Sequence, residues 1–246
     1  MIYVCIPSHN EAPTVGLLLW RIRQVFQEFA REYQLLVGDD GSTDTTAEVL
    51  APYARVLPLT VLRQAERRGY ARTVEDLLRH AVERTDRPRR DCAILMHADF
   101  THEPQFIPDF VRRIDGGADL VVGEGALEGE PSRGRRLLRR WAPMLLRGRV
   151  RVSEVSDLVS GFVGFRLATL REALPEPGPV LANDGWAANA ELIGRAARAA
   201  RRIDAVPTVE RHDRRARPSR LDPWQAARDL WHFRSRVALP AGESAS

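Results

Sequence analysis

The fold is decided by the first 44 residues, which read MIYVCIPSHNEAPTVGLLLWRIRQVFQEFAREYQLLVGDDGSTD. The apolar run over residues 2–6 predicts a buried strand. Residues 13–32 predict an amphipathic helix, because their apolar side chains recur at spacings of three and four. A second strand over residues 34–38 leads into the paired carboxylates Asp39 and Asp40. This order is typical of the strand–helix–strand unit of a parallel sheet.

The same alternation continues along the chain. Further strands are predicted over residues 57–63, 91–96, 118–123 and 202–208. Further helices are predicted over residues 43–54 (ending near Pro52), 70–84, 104–115, 187–200 and 222–236. The arginine-dense residues 128–151 indicate a mobile loop with a helix. We therefore predict an α/β fold in which a single Rossmann-like, mostly parallel sheet is flanked by helices. Ligands of such sheets bind beyond the carboxyl ends of the strands.

Composition narrows the classes of partner. The 246 residues carry a net charge of +4. The chain has 37 arginines and no lysine, and the arginine side chain is suited to binding phosphate. Acidic residues are interspersed, so we expect no nucleic-acid partner. No apolar run reaches the roughly 18 residues of a membrane-spanning helix, and the N-terminus lacks a signal-peptide pattern. Cys5 and Cys92 lie in apolar runs, which predicts core packing and fits a reducing cytoplasm.

Four polar loops follow four of the predicted strands, at residues 7–12, 38–44, 67–70 and 96–104. In the second loop, Asp39 and Asp40 can accept hydrogen bonds from a nucleobase or a ribose, or they can serve a turn and a helix cap. In the fourth loop, His97 and Asp99 are two residues apart and point the same way. They could bind a divalent cation that bridges diphosphate oxygens, or they could be a solvated strand end.

Six short motifs together resemble a known family. They read IPSHNEAPTV (6–15), GDDGSTDTT (38–46), RRGYA (67–71), MHADFTHEP (96–104), DLVSGFVGFR (157–166) and RRARPSRL (214–221). In this order they resemble family-2 glycosyltransferases of the GT-A fold, in particular the dolichyl-phosphate mannose synthase and polyprenyl-phosphate glycosyltransferase group. The resemblance implies a GT-A domain over residues 1–221, and residues 222–246 are predicted to form a C-terminal amphipathic helix and a disordered tail.

The resemblance also implies roles for individual residues. Asp99 would bind the metal, Asp40 would read the base, and residues 128–151 would be the acceptor loop. The predicted nucleotide-sugar residues are Pro7, His9, Glu11, Asp39, Asp40, Arg68, Gly69, Ala98 and Asp99. The predicted phosphate and acceptor residues are Ser160, Gly161, Trp186, Arg214, Ser219 and Arg220. The metal is expected to be Mn²⁺ or Mg²⁺, held by His97 and Asp99.

The chain departs from the family pattern at three places. His97 replaces the first carboxylate of the Asp-Ala-Asp motif, which either favours Mn²⁺ over Mg²⁺ or weakens metal binding. Val163 stands where the family has an arginine. Residues 123–126 read GEGA where the lipid-phosphate enzymes show Gly-Ser-Arg-Tyr, so a phosphate clamp is lost. Arginines between positions 133 and 140 could replace it.

A hydroxyl acceptor would require a general base, whereas a phosphate acceptor would not. Asp184 is the candidate base and Glu191 the reserve; the alternatives are that Asp184 caps the following helix and that Glu191 is a buried structural carboxylate. Trp186 could stack on the acceptor.

We therefore predict an inverting glycosyltransferase of the cytoplasm. Its predicted donor is GDP-mannose, with a UDP-sugar as the alternative, and its acceptor is a polyprenyl phosphate or a soluble hydroxyl compound. The C-terminal helix either packs on the domain or makes a peripheral membrane contact. The rival hypothesis is a nucleotide-sugar-binding protein without turnover, because His97 disrupts the metal pair.

Overall fold

The computed structural model describes residues 1–128, 155–175, 178–211 and Arg228. In these residues seven strands form one sheet: β1 (Ile2–Ser8), β2 (Tyr33–Asp39), β3 (Leu59–Arg63), β4 (Cys92–Leu95), β5 (Leu120–Glu128), β6 (Val163–Arg166) and β7 (Ile203–Arg211). Six α-helices accompany them: α1 (Val15–Glu28), α2 (Thr46–Val56), α3 (Tyr70–Arg84), α4 (Ile107–Asp115), α5 (Leu167–Ala173) and α6 (Gly185–Ala199). A 3₁₀ turn, Pro104–Phe106, precedes α4.

The strand order across the sheet is β3-β2-β1-β4-β6-β5-β7. Strands β3, β2, β1 and β4 are parallel, and β5 is parallel to β7. Strand β6 alone among the described strands runs antiparallel to both of its neighbours. The predicted α/β class with a mostly parallel sheet is thus confirmed.

Helices cover both faces of the sheet. Successive residues of β1 point to opposite faces, so Tyr3 and Cys5 join the apolar cluster under α3, α5 and α6, and Val4 joins the cluster under α1, α2 and α4. Cys92 lies in the second cluster, so the two free cysteines are buried on opposite faces, as core packing predicts. Burial raises the pKa of the Cys92 thiol to about 12.

The pairing register brings the site loops to one level. Strand β1 pairs with β2 from Ile2 opposite Tyr33 to Ser8 opposite Asp39, so both strands end together. Strand β4 pairs with β1 up to Leu95 opposite Cys5, and the Met96 N–H continues the ladder to the Cys5 carbonyl at 3.0 Å. The loops after β1, β2 and β4 therefore emerge side by side, as the parallel arrangement requires.

Several sequence-based boundaries were wrong. Helix α2 continues through Pro52 to Val56, because one proline removes only one intrahelical N–H bond and the helix resumes with Leu57 N–H donating to the Tyr53 carbonyl. Strand β6 and helix α5 were not predicted.

The described residues contain no helix that is long and apolar enough to cross a membrane. The helix predicted over residues 222–236 and the segment 128–151 lie outside the described residues, apart from Glu128 at the end of β5 and Arg228.

Arg166, at the end of β6, joins three parts of the chain. Its Nε donates to Asp119 Oδ1 at 2.8 Å, and its Nη1 donates to the Arg89 carbonyl at 2.5 Å. Its Nη2 donates to the carbonyls of Ile114 and Ala118 at 2.6 and 2.8 Å. The side chain is only 16% exposed, so these acceptors depend on it.

We expect Arg166→Met to lower the free energy of unfolding by about 2–3 kcal/mol, because it leaves Asp119 and two or more carbonyls short of a donor. Urea unfolding measures the change. The matched control is Arg87→Met, which removes an ion pair whose Asp86 partner is 86% exposed, and it should change stability by less than about 0.5 kcal/mol. Equal effects of the two substitutions would contradict the structural role of Arg166.

Candidate functional site

The loops after β1 and β2 are joined by their own side chains. His9 Nδ1 lies 2.7 Å from the Asp40 carbonyl, so Nδ1 carries the proton of this hydrogen bond. The Asn10 N–H donates to Ser42 Oγ at 2.8 Å, and Asn10 Oδ1 accepts from the Thr43 N–H at 2.7 Å. Asn10 has a φ of 52°, a conformation that asparagine tolerates better than most residues. The two loops therefore form one unit.

Two other residues predicted in the first loop lie at its base. Pro7 is the penultimate residue of β1 and pairs with Gly38. The Glu11 N–H donates to Thr46 Oγ1 at 2.9 Å, and Glu11 Oε2 accepts from the Thr14 hydroxyl at 2.9 Å. These contacts join the start of α1 to the start of α2.

Asp39 and Asp40 are both buried but have different surroundings. Asp39 is 0% exposed; its Oδ1 accepts from the Ser42 N–H at 3.1 Å, and its Oδ2 lies 3.7 Å from Arg63 Nε. Asp40 is 4% exposed, and its carboxylate accepts from the backbone N–H groups of Arg68 at 2.6 Å and Gly69 at 3.1 Å. Asp40 thus holds the third loop, and its predicted contact with a base stays a prediction.

Buried polar atoms lie where β1 and β2 end. Within the described residues, three buried side-chain atoms have no hydrogen-bond partner: Ser8 Oγ, Asp39 Oδ2 and, after β3, Gln64 Oε1. Ser8 and Asp39 are register partners on neighbouring strands. Such orphaned atoms are costly in an empty site, and they are expected where a polar ligand supplies the missing partner.

The start of α3 is held by carboxylates from two different segments. Asp184 Oδ1 accepts from the Ala71 N–H at 2.8 Å, next to the N–H groups that Asp40 holds. Gly69 has a φ of 97°, and a Cβ there would lie 3.1 Å from Asp184 Oδ2. Asp184 occupies the residue before α6 but makes no side-chain cap to it. The alternative that Asp184 caps the helix that follows it, α6, was therefore wrong. Its side chain caps the start of α3 instead. Arg68 is exposed and pairs with Asp76 at 3.1 Å.

The fourth loop holds the residues predicted to bind a metal. Asp99 Oδ1 accepts from the Thr101 N–H at 3.0 Å, and Ala98 is buried. The His97 N–H donates to His102 Nδ1 at 3.1 Å, and the two rings lie 4.5 Å apart. Among the residues with described positions, no group of three His, Cys, Asp or Glu side chains is arranged to bind a metal ion. The binding of a cation by His97 and Asp99 stays a prediction.

A small cavity of about 10 Å³, room for about one water molecule, lies beside His97. Gly161, predicted from a motif, and Trp186, predicted to stack on the acceptor, line it. Sequence reasoning did not select three further residues of its wall, namely His102, Asp157 and Glu210. Their proximity is a tertiary property: Glu210, the penultimate residue of β7, is bridged to His102, and the Arg211 N–H donates to the Thr101 carbonyl. The end of β7 thus lies beside the fourth loop, residues 96–104.

The remaining predicted residues have local partners. Glu191 is 1% exposed, and its carboxylate accepts from the Ala182 N–H at 2.9 Å and from Arg195 Nη2 at 3.0 Å. This geometry supports the structural alternative for Glu191 and leaves Asp184 as the candidate base. Ser160 Oγ accepts from the Phe162 N–H at 3.2 Å. The predicted Arg214, Ser219 and Arg220 lie outside the described residues.

Known proteins with related sequences are glycosyltransferases by name. The chain is 29% identical over 171 residues to a dolichol-phosphate mannosyltransferase of Pyrococcus furiosus, with 66% of this chain and 45% of the relative covered. It is 30% identical over 146 residues to an undecaprenyl-phosphate 4-deoxy-4-formamido-L-arabinose transferase of Pseudomonas aeruginosa, covering 59% and 40%. The chain thus spans less than half the length of these curated relatives.

Solved structures share the fold. Glucosyl-3-phosphoglycerate synthase from Mycobacterium tuberculosis, in complex with Mn²⁺, UDP and glucosyl-3-phosphoglycerate, superposes with a TM-score of 0.59 at 18% identity and covers 94% of this chain and 76% of its own. Residues 1–349 of S. aureus TarS in complex with UDP superpose with a TM-score of 0.59 at 19% identity, covering 84% and 59%. At this identity the likeness shows the fold alone, which is GT-A.

The family is shown by the sequence match. The model of the family described as Glycosyl transferase family 2 matches residues 3–174, well over half of the chain. The matched region contains the four loops and the residues at their tips, from Pro7 to Gly161. The chain therefore belongs to glycosyl transferase family 2.

Proposed function

We propose that this chain is an inverting glycosyltransferase that moves a hexose from a nucleoside-diphosphate sugar to an acceptor. The observation that carries the proposal is a pair of buried polar atoms without a hydrogen-bond partner, Ser8 Oγ and Asp39 Oδ2, at the ends of the paired strands β1 and β2. A base or ribose bound there would supply their missing partners. Family membership supports the choice of a nucleotide sugar over other polar ligands.

The donor proposal keeps two nucleotides. The mannosyltransferase relative from Pyrococcus supports GDP-mannose as the favoured donor. The UDP complexes of the two structural relatives support a UDP-sugar as the alternative. Titration with GDP and UDP by calorimetry distinguishes them, and failure of both to bind would overturn the proposed function.

A divalent cation, Mn²⁺ or Mg²⁺, is proposed as the cofactor. The side chains fit such an ion, because an imidazole and a carboxylate are ligands of divalent cations that complete their shell with diphosphate oxygens and water. His97 and Asp99 would hold it, and it would neutralise the charge that develops on the leaving diphosphate. The Mn²⁺ in the glucosyl-3-phosphoglycerate synthase complex supports this assignment.

The acceptor is proposed to be a polyprenyl phosphate or a soluble hydroxyl compound. The names of the curated relatives support the lipid phosphate. The middle of β5 favours the hydroxyl, because Glu124 lies in the segment where the lipid-phosphate enzymes have an arginine, and Glu124 Oε1 accepts from Ser156 Oγ at 2.8 Å. With a polyprenyl phosphate as acceptor, we also propose that the protein acts in the cytoplasm in peripheral contact with the membrane.

One observation favours the rival hypothesis, a nucleotide-sugar-binding protein without turnover. The described residues lack a three-residue metal group, and His97 replaces a carboxylate of the motif. Donor hydrolysis with Mn²⁺ and Mg²⁺ added separately tests it. Nucleotide binding without sugar release in either cation would support the rival.

We expect Asp99→Asn to lower sugar transfer at least about 100-fold, because it removes the negative ligand of the cation that would stabilise the departing diphosphate. The unfolding temperature should change little, because the amide oxygen of the substituted side chain can still accept from the Thr101 N–H. The matched control is Asp109→Asn on α4, whose carboxylate is exposed and pairs with Arg112. Full activity of the Asp99 variant would refute the metal assignment.

We expect Asp184→Asn to lower the turnover number about 100-fold or more with a hydroxyl acceptor, since the amide cannot take a proton. Its oxygen still accepts from the Ala71 N–H, so α3 stays capped and the unfolding temperature is retained. With a polyprenyl phosphate acceptor the rate should be unchanged. Steady-state kinetics on both acceptors measures this, and an unaltered rate on an active hydroxyl acceptor would exclude Asp184 as the base.

A further inference from the structure

One nitrogen of His97 is enclosed by protein. His97 Nε2 lies 3.4 Å from Tyr70 Oη, and a Cβ added to Gly161 would overlap the same nitrogen. The Tyr70 ring meets the imidazole edge-on at 85°, and the His102 ring packs 4.5 Å away. A metal–imidazole bond needs about 2.0–2.1 Å and room for the other ligands of the ion. The Nε2 edge has no such room.

The hydrogen bonds around Tyr70 fix the position of a proton. Tyr70 has a single hydroxyl proton and donates it to Asn189 Oδ1 at 2.8 Å. The Asn189 amide is oriented by its other end, because Nδ2 donates to the Val159 carbonyl at 3.3 Å. The Tyr70 oxygen can therefore only accept from His97. His97 Nε2 then carries the proton of this hydrogen bond, and in the neutral imidazole Nδ1 is the nitrogen with the lone pair.

We propose that Tyr70 and Asn189 are positioning residues that fix His97 in its Nε2–H tautomer, so that Nδ1 is the atom that binds the donor-site cation. The proposal rests on the function proposed above. Histidines that bind metals generally donate their second ring N–H to a neighbouring acceptor, which sets both tautomer and ring orientation. Here that acceptor is a tyrosine hydroxyl, held in turn by an amide on α6.

The tautomer can be measured without any ligand. Long-range ¹H–¹⁵N correlation spectra of the full chain, recorded at about pH 8.5 where histidines with ordinary pKa values are neutral, distinguish the two tautomers. The His97 signal is assigned from its loss in His97→Gln. We expect the Nε2–H pattern in the unsubstituted protein.

Two substitutions should move the tautomer in different ways. In Asn189→Leu the Tyr70 hydroxyl loses its acceptor and donates to His97 Nε2 instead, which converts His97 to the Nδ1–H form. In Tyr70→Phe the lock is removed, and a mixture of tautomers is expected. The matched control is Tyr33→Phe, which removes a hydroxyl from a ring that stacks on Phe26 at 4.0 Å, away from the site. It should leave the His97 signal unchanged.

Cation binding supplies the second readout. With UDP or GDP present, Mn²⁺ affinity measured by electron paramagnetic resonance should fall about 10-fold or more in Asn189→Leu and Tyr70→Phe, but not in Tyr33→Phe. An Nδ1–H or doubly protonated His97 in the unsubstituted protein would overturn the proposal. A tautomer shift without loss of Mn²⁺ affinity would also overturn it.

The two proposals fail in distinguishable ways. If neither nucleotide binds with or without Mn²⁺, the proposed function fails, and the cation role of His97 fails with it, whatever the tautomer. If nucleotide binds and sugar is transferred while the tautomer is insensitive to Asn189→Leu, the enzyme assignment stands and only the positioning role is lost.

Discussion

The site depends on carboxylates that accept backbone N–H groups at the start of α3. The first N–H groups of a helix have no partner within it and form its positive end. Asp40, from the end of β2, accepts from Arg68 and Gly69, and Asp184, from the segment before α6, accepts from Ala71. Two segments distant in sequence are thereby joined at one helix terminus. Without them the third loop would have several unpaired donors at the edge of the sheet.

The same contacts fix the position of Tyr70. This residue lies between the N–H groups held by Asp40 and Asp184, so its ring enters the site at a fixed angle and its hydroxyl reaches both Asn189 and His97. The loops that contain Asp40 and His97 are in this way connected to α6 through hydrogen bonds within the protein. Groups held in place beforehand need no reorganisation when charge develops during a reaction, which is the general advantage of a preorganised polar site.

The parallel half of the sheet could be predicted because its signals are local. Helix α3 was predicted over the observed span, since its apolar positions keep one helical face and Gly69 marks its start. Strand β6 was missed because four residues flanked by a glycine-rich motif carry no period, and its antiparallel place between β4 and β5 is a tertiary property. The partners of Asp184 and Glu191 were open for the same reason. Sequence spacing places a carboxylate on an element, but it does not show that Ala71, 113 residues away, supplies the N–H.

The departures from the family motifs are concentrated in one half of the sheet. The loops after β1 and β2 and the Arg-Gly segment before α3 resemble the motifs, and they adjoin β3, β2 and β1. His97, Val163 and the residues around Glu124 follow or belong to β4, β6 and β5, on the other side of β1. By the resemblance, most of the predicted nucleotide residues lie in the first half, and the predicted metal residues lie in the second. The positioning role proposed for Tyr70 bears on the exchange of a carboxylate for His97. An imidazole can be oriented by donating its second N–H to the Tyr70 oxygen, whereas a carboxylate has no N–H to donate.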